Sequence, residues 1–128
     1  MSGIYPVFEQ VLPTADNFNG KGLSGDLDKL DDLADRLGFI TLSEFINARS
    51  MALEVLEEDQ LPANCPPVRW FSARKGLATV HGLLVCLEQH PGLLSQSRTW
   101  IIEDLKQLAT LLHEAKGQTI RFHLMVDI

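Results

Sequence analysis

Between Ser72 and Lys116 the apolar positions fall twice into a helical rhythm. Leu77, Val80, Leu83, Leu84 and Leu87 make one stripe, ended by Pro91 and Gly92. Ile101, Leu105, Leu108, Leu112 and Ala115 make a second at i, i+4, i+7 spacing, widened by Trp100, Ile102, Ala109 and Leu111. A helix apolar over so much of its circumference is expected to be largely buried. Ser72 is placed to cap the first helix and Ser95 or Ser97 the second, with Lys116 and Gly117 closing it. The pattern therefore predicts a helical hairpin. Gly76 and Gly82 within it each cost about 1 kcal/mol relative to alanine. Close approach of another element on the face shared by Ala78 and Gly82 would compensate.

Upstream, Leu27, Leu30, Leu33, Ala34 and Leu37 predict a helix starting at Ser24 or Asp26, with Gly38 as its left-handed stop. Thr41 or Ser43 can cap a short second helix over Leu42–Ala48, with Leu42, Phe45 and Ile46 inward. Met51–Leu56 could extend a helix, but Pro62, Pro66 and Pro67 enforce a loop before Trp70. Near the start, Ile4, Val7, Phe8, Val11 and Leu12 are interrupted by Pro6, which suits an edge strand or an extended arm. Asn17–Gly25 reads as a loop.

At the end the period changes to two. Phe122, Leu124, Val126 and Ile128 alternate with Arg121, His123, Met125 and Asp127, the pattern of a half-buried strand. Its partner is either Ile4–Val11 or the same strand of a second molecule. The expected fold is α+β and mainly helical, one domain over residues 1–128: a helical hairpin, N-terminal helices, and a small sheet that includes the C-terminal strand.

Charge changes the picture in one place. The net charge is −6, yet Ser24–Gln60 alone holds ten acids against Lys29, Arg36 and Arg49. Nucleic acid and anionic membrane surfaces are disfavoured, since no basic stripe exists to meet phosphates. A basic protein partner is allowed. The first ten residues lack the basic start and apolar run of a signal peptide, so a cytoplasmic location is expected, with Cys65 and Cys86 reduced.

Candidate chemistry is thin. The acids from Asp26 to Asp35 interleave with leucines at helical spacing; Leu30 stands where a calcium loop needs its third oxygen, so a solvated face fits better than a metal site. Leu33–Ala48 superficially fits a helix-turn-helix, but its first helix would turn aspartates toward phosphates. Cys86 and His90 share a helix face, yet the apolar run around Cys86 should bury the thiol rather than activate it. His81, His113 and His123 are scattered, without the paired spacing of a zinc helix. Arg69–Trp70–Phe71 follows a Cys-Pro-Pro turn; one aromatic is expected inward and the other partly outward. No catalytic, cofactor or metal residues are assigned.

Leu37–Gly38, Leu42–Ser43–Glu44–Phe45, Trp70–Phe71 with Gly76–Leu77–Ala78–Thr79–Val80, and the terminal Arg121–Phe122–His123–Leu124–Met125–Val126–Asp127 together resemble a small family of uncharacterised bacterial proteins. The likeness covers most of the chain from Leu27 on. It implies a free-standing domain with a C-terminal strand, and no activity or site.

Two functional classes follow. One is a non-enzymatic interaction or regulatory domain using an acidic face, with Asp31, Asp32 and Asp35 toward the partner. The other is a small enzyme or ligand-binding domain with a pocket around Trp70, Arg121 and His123, together with Asp127. A homodimer through the terminal strand or an exposed helix stripe is compatible with either.

Overall fold

In the computed structural model, residues 3–12, 18 and 20–127 are described; Ile128, Asn17 and the side chain of Asp127 lie outside the described residues. The terminal strand finds its partner within the chain. Strand β1 (Gly3–Phe8) runs antiparallel to β2 (Phe122–Asp127), pairing Ile4 with Val126, Pro6 with Leu124 and Phe8 with Phe122. Ile4 donates its backbone N–H outward to the Gly20 carbonyl at 3.2 Å. Pro6, two residues on, therefore turns its missing donor to that same outer edge, where a proline costs no ladder bond.

The far edge of β2 is occupied by loops. Phe122 and Phe71 exchange both backbone hydrogen bonds at 2.8 and 2.9 Å, and the N–H of Asn47 donates to the Leu124 carbonyl at 3.3 Å. Phe45 meets Phe71 edge-on at 5.0 Å between ring centres and Phe122 at 5.2 Å. One side of the sheet thus becomes part of the core.

Helices α1 (Lys21–Gly25), α2 (Leu27–Arg36), α3 (Ala48–Leu53), α4 (Ala73–Gln89) and α5 (Arg98–Gly117) complete the regular structure, with short 3₁₀ turns at Leu42–Phe45 and Glu58–Gln60. The hairpin of α4 and α5 forms as its periodicity predicts. Leu83, Leu87, Ile101, Leu105, Leu108 and Leu112 are all buried along its seam. Ser72 caps α4 by accepting from the Lys75 N–H. Gly38 adopts φ 81°, the left-handed stop expected after α2.

Several expectations need correction. The loop expected up to Gly25 contains α1. No local signal favours a helix there, but the Asp104 carboxylate on α5 accepts the Gly22 N–H at 2.8 Å and binds the Leu23 backbone. Gly20 enters that helix at φ 62°, and a β-carbon on it would stand 1.6 Å from the Ile4 carbonyl oxygen. Only glycine fits there.

The single short helix expected near Leu42–Ala48 is split. Thr41 caps the 3₁₀ turn, the chain extends at Ile46 and Asn47, and Asn47 then caps α3 by accepting the Ser50 N–H at 3.0 Å. Its amide also donates to the Arg69 carbonyl, so this buried asparagine ties α3 to the strand-covering loop. Arg49 anchors the proline-rich loop, donating to the carbonyls of Pro66 and Cys65 and pairing with Glu58 at 2.8 Å.

At the start of α5, Ser97 does not cap with its side chain; its hydroxyl donates to Asp26. The helix runs through Gly117, and the left-handed residue that follows is Thr119. Trp100, expected to widen the buried stripe, is 69% exposed because it sits on the outward side of the first turn. The terminal strand is buried on both faces, not one: His123 and Met125 are 3% and 4% exposed.

Candidate functional site

Two regions collect the side chains that the sequence singles out. The first is α2. Asp28, Asp32 and Asp35 share its outer face at i, i+4, i+7 spacing and are exposed. Asp32 makes an i,i+4 ion pair with Arg36 at 3.1 Å. Asp31 behaves differently: its carboxylate accepts both the backbone N–H and the hydroxyl of Ser43, binding α2 to the following 3₁₀ turn. It acts as a brace, and of the three expected surface aspartates only Asp32 and Asp35 stay on the open face. Of Ser43, Glu44 and Asn47, the residues with which a helix-turn-helix would read bases, Ser43 is engaged with Asp31 and Asn47 lies in the interior, while Glu44 is exposed.

The second region is the sheet face around Trp70. The Trp70 ring lies against His123 with centroids 4.7 Å apart, half-covered itself, while Phe71 turns into the core. That is the one-in, one-out division expected of the pair. Arg121 does not join them. Its guanidinium forms a two-pronged ion pair with Glu9 at the exposed end of the sheet, and this holds the Glu9 carboxyl below the usual range. The structure therefore brings Trp70 and His123 together and directs Arg121 elsewhere. His123 is read as polar in the sequence because its cover, Trp70, comes from a distant loop.

Burial pushes the His123 imidazole below its ordinary value of 6.5, against a smaller upward pull from the Leu124 carbonyl beside Nδ1. The unfolded chain then binds a proton more readily than the folded one. The contribution is complete above pH 6.5 and is lost as pH falls through the depressed value. Urea unfolding between pH 5 and 7.5 should show wild-type stability declining on the acid side, and His123→Phe should flatten that decline. Parallel curves would remove this role for the ring.

A further feature was not legible in the sequence. Where the chain leaves α2 and crosses α4, Leu37, Phe39, Ala78, Gly82, Val85 and Cys86 line an open, predominantly apolar groove of about 410 Å³; His81, Gln89 and His90 complete its wall. Phe39 fits directly over Gly82, where a β-carbon would come within 2.3 Å of the ring. So the glycine does permit a close approach, whereas Ala78 beside it stays exposed. Cys86, expected in the interior, is only half-buried on this groove. Leu37 and Val85 are 44% and 50% exposed, and the sequence signals here were the small-residue face of Ala78 and Gly82 and Val85, an apolar residue off the α4 stripe.

Among the described residues no helix is long and apolar enough to cross a membrane, and no three His, Cys, Asp or Glu side chains form a metal-holding group. No family model, no curated protein and no solved structure matches this chain.

Proposed function

We propose that the chain is a non-catalytic protein-interaction domain that receives a basic, amphipathic helix of a partner protein. The observation that carries the reading is the exposed apolar groove at the end of α2, next to the helix whose outer face bears Asp28, Asp32 and Asp35. An amphipathic helix laid on such a surface buries apolar anchors in the groove. Its Lys and Arg then meet the aspartates, which favours encounter and orientation more than affinity. The separation of Arg121 from Trp70 and His123 leaves the enzyme reading without a converging set of groups.

Two synthetic peptides with leucines at helical spacing, one filled with lysine and one with glutamate, test this against the isotopically labelled chain. The lysine peptide should shift the resonances of Leu37, Phe39, Ala78 and Val85 and should release as salt rises. Val85→Asp should abolish that binding, and the double variant Asp32→Lys, Asp35→Lys should weaken it by about tenfold, a cost of about 1.4 kcal/mol. Both changes lie on exposed positions, so thermal midpoints should stay nearly constant. Equal binding of the glutamate peptide, or shifts confined to other surfaces, would refute the proposal. Asp31 is left out because its reversal would break the brace to Ser43.

A further inference from the structure

The two helices of the hairpin each carry one histidine to the same level of their seam. His81 of α4 and His113 of α5 are both exposed, yet their rings lie against each other, centroids 5.2 Å apart and planes inclined at 44°. Leu108 and Leu112 of α5 and Val80 and Leu83 of α4 are almost wholly buried, so core packing fixes the two helices that carry the rings. The apolar seam is already filled without the two imidazoles.

Their spacing has a chemical meaning. A zinc-like ion bonds imidazole nitrogen at about 2.0–2.1 Å, and at a tetrahedral angle this puts two ring centres roughly 5 Å apart. Imidazole is a suitable ligand for zinc, copper and nickel, and metal sites in helical bundles are built from side chains on facing helices. We propose that His81 and His113 form a two-imidazole clamp for a transition-metal dication of the zinc class, bridging α4 and α5. With no third His, Cys, Asp or Glu grouped there among the described residues, water completes the coordination shell. Such a site is open and exchangeable, unlike a closed structural centre with four protein ligands. Residues 81 and 113 meet only when the hairpin is formed, so the ion favours the folded state. The proposal does not depend on the groove's having a partner.

Calorimetric titration of the full chain with zinc chloride alone should reveal one saturable site, and zinc should raise the thermal midpoint. His81→Ala and His113→Ala should each weaken that site by at least the roughly tenfold lost when even an outer-shell partner of a metal is removed. Each should also cancel the zinc-induced rise in midpoint. His90→Ala, on the groove but away from the pair, should leave both effects intact. Because both rings are exposed, the metal-free midpoints of all variants should agree, which separates lost ligation from lost folding. Zinc binding that survives either of the two substitutions, or the absence of a saturable site, overturns the proposal.

Discussion

Replacing Phe122 with alanine is expected to destabilise the protein by about 3–5 kcal/mol, the range for removing a fully buried phenylalanine. Phe122 is 1% exposed and lies where every layer of the fold meets. Its ring contacts Phe45 and Phe71 at centroid distances of 5.2 and 6.4 Å and fills the space above Gly76 on α4. Its backbone holds Phe71 through two hydrogen bonds, so the strand, the covering loop and the hairpin share one side chain as a common wall. The surrounding rings belong to different elements and cannot close the void together. Typical domain stabilities are about 5–15 kcal/mol, so this one change would remove a large share of the total. In urea unfolding the midpoint should fall sharply, and by heat the loss should be roughly 10–20 °C. A loss below about 1 kcal/mol would mean that the aromatic cluster collapses freely around the vacancy, contrary to the close packing seen here.

How much of this was readable beforehand follows the range of the interactions involved. The hairpin rests on periodicity within α4 and α5, a local property, and it formed with the expected stripes apart from Trp100. The terminal strand itself was legible for a related reason, since Phe122, Leu124 and Val126 alternate with period two; its partner was not, because Ile4–Val11 and a second copy of the strand would satisfy its edge equally, and the structure pairs it with Gly3–Phe8. Long-range effects were hidden. Helix α1 has no helical signal of its own and depends on Asp104, 82 residues further along the chain. His123 and Met125 alternate with the core residues and so read as the wet face, but Trp70 covers the histidine from a loop preceding α4. His81 and His113 look scattered because their pairing crosses two helices, and the groove joins the end of α2 to α4. Asn47 is the exception among the failures. It is a good helix-capping residue, and its local signal was masked by the apolar spacing on either side.

Gly76→Ala is expected to destabilise the protein and Gly82→Ala to leave it neutral or more stable, although both replace a glycine in the same helix. Each gains about 1 kcal/mol of helix propensity from the loss of glycine's backbone freedom. At Gly76 the new methyl group would stand 2.5 Å from Phe122 Cζ and 3.1 Å from Leu112 Cδ1. Both neighbours are held in the interior, Leu112 at 0% and Phe122 at 1% exposure. Overpacking of this kind costs typically about 1–3 kcal/mol or more, and with two rigid neighbours it should exceed the helical gain. Net destabilisation of about 1–2 kcal/mol is the expected result for Gly76→Ala. At Gly82 the methyl would come still closer to its neighbour, 2.3 Å from Phe39 Cε2. Phe39, however, is only half-buried and borders the open groove, so its ring can swing toward solvent. That adjustment leaves most of the propensity gain, and Gly82→Ala should be neutral or stabilising by up to about 1 kcal/mol. Paired denaturant titrations would read the difference directly. Equal losses at the two positions would mean that Phe39 is as firmly held as Phe122, and the wall of the groove would then be a rigid part of the core. A loss confined to Gly76→Ala would mark Phe39 as the movable wall of the groove, able to adjust to the anchors of a docked helix.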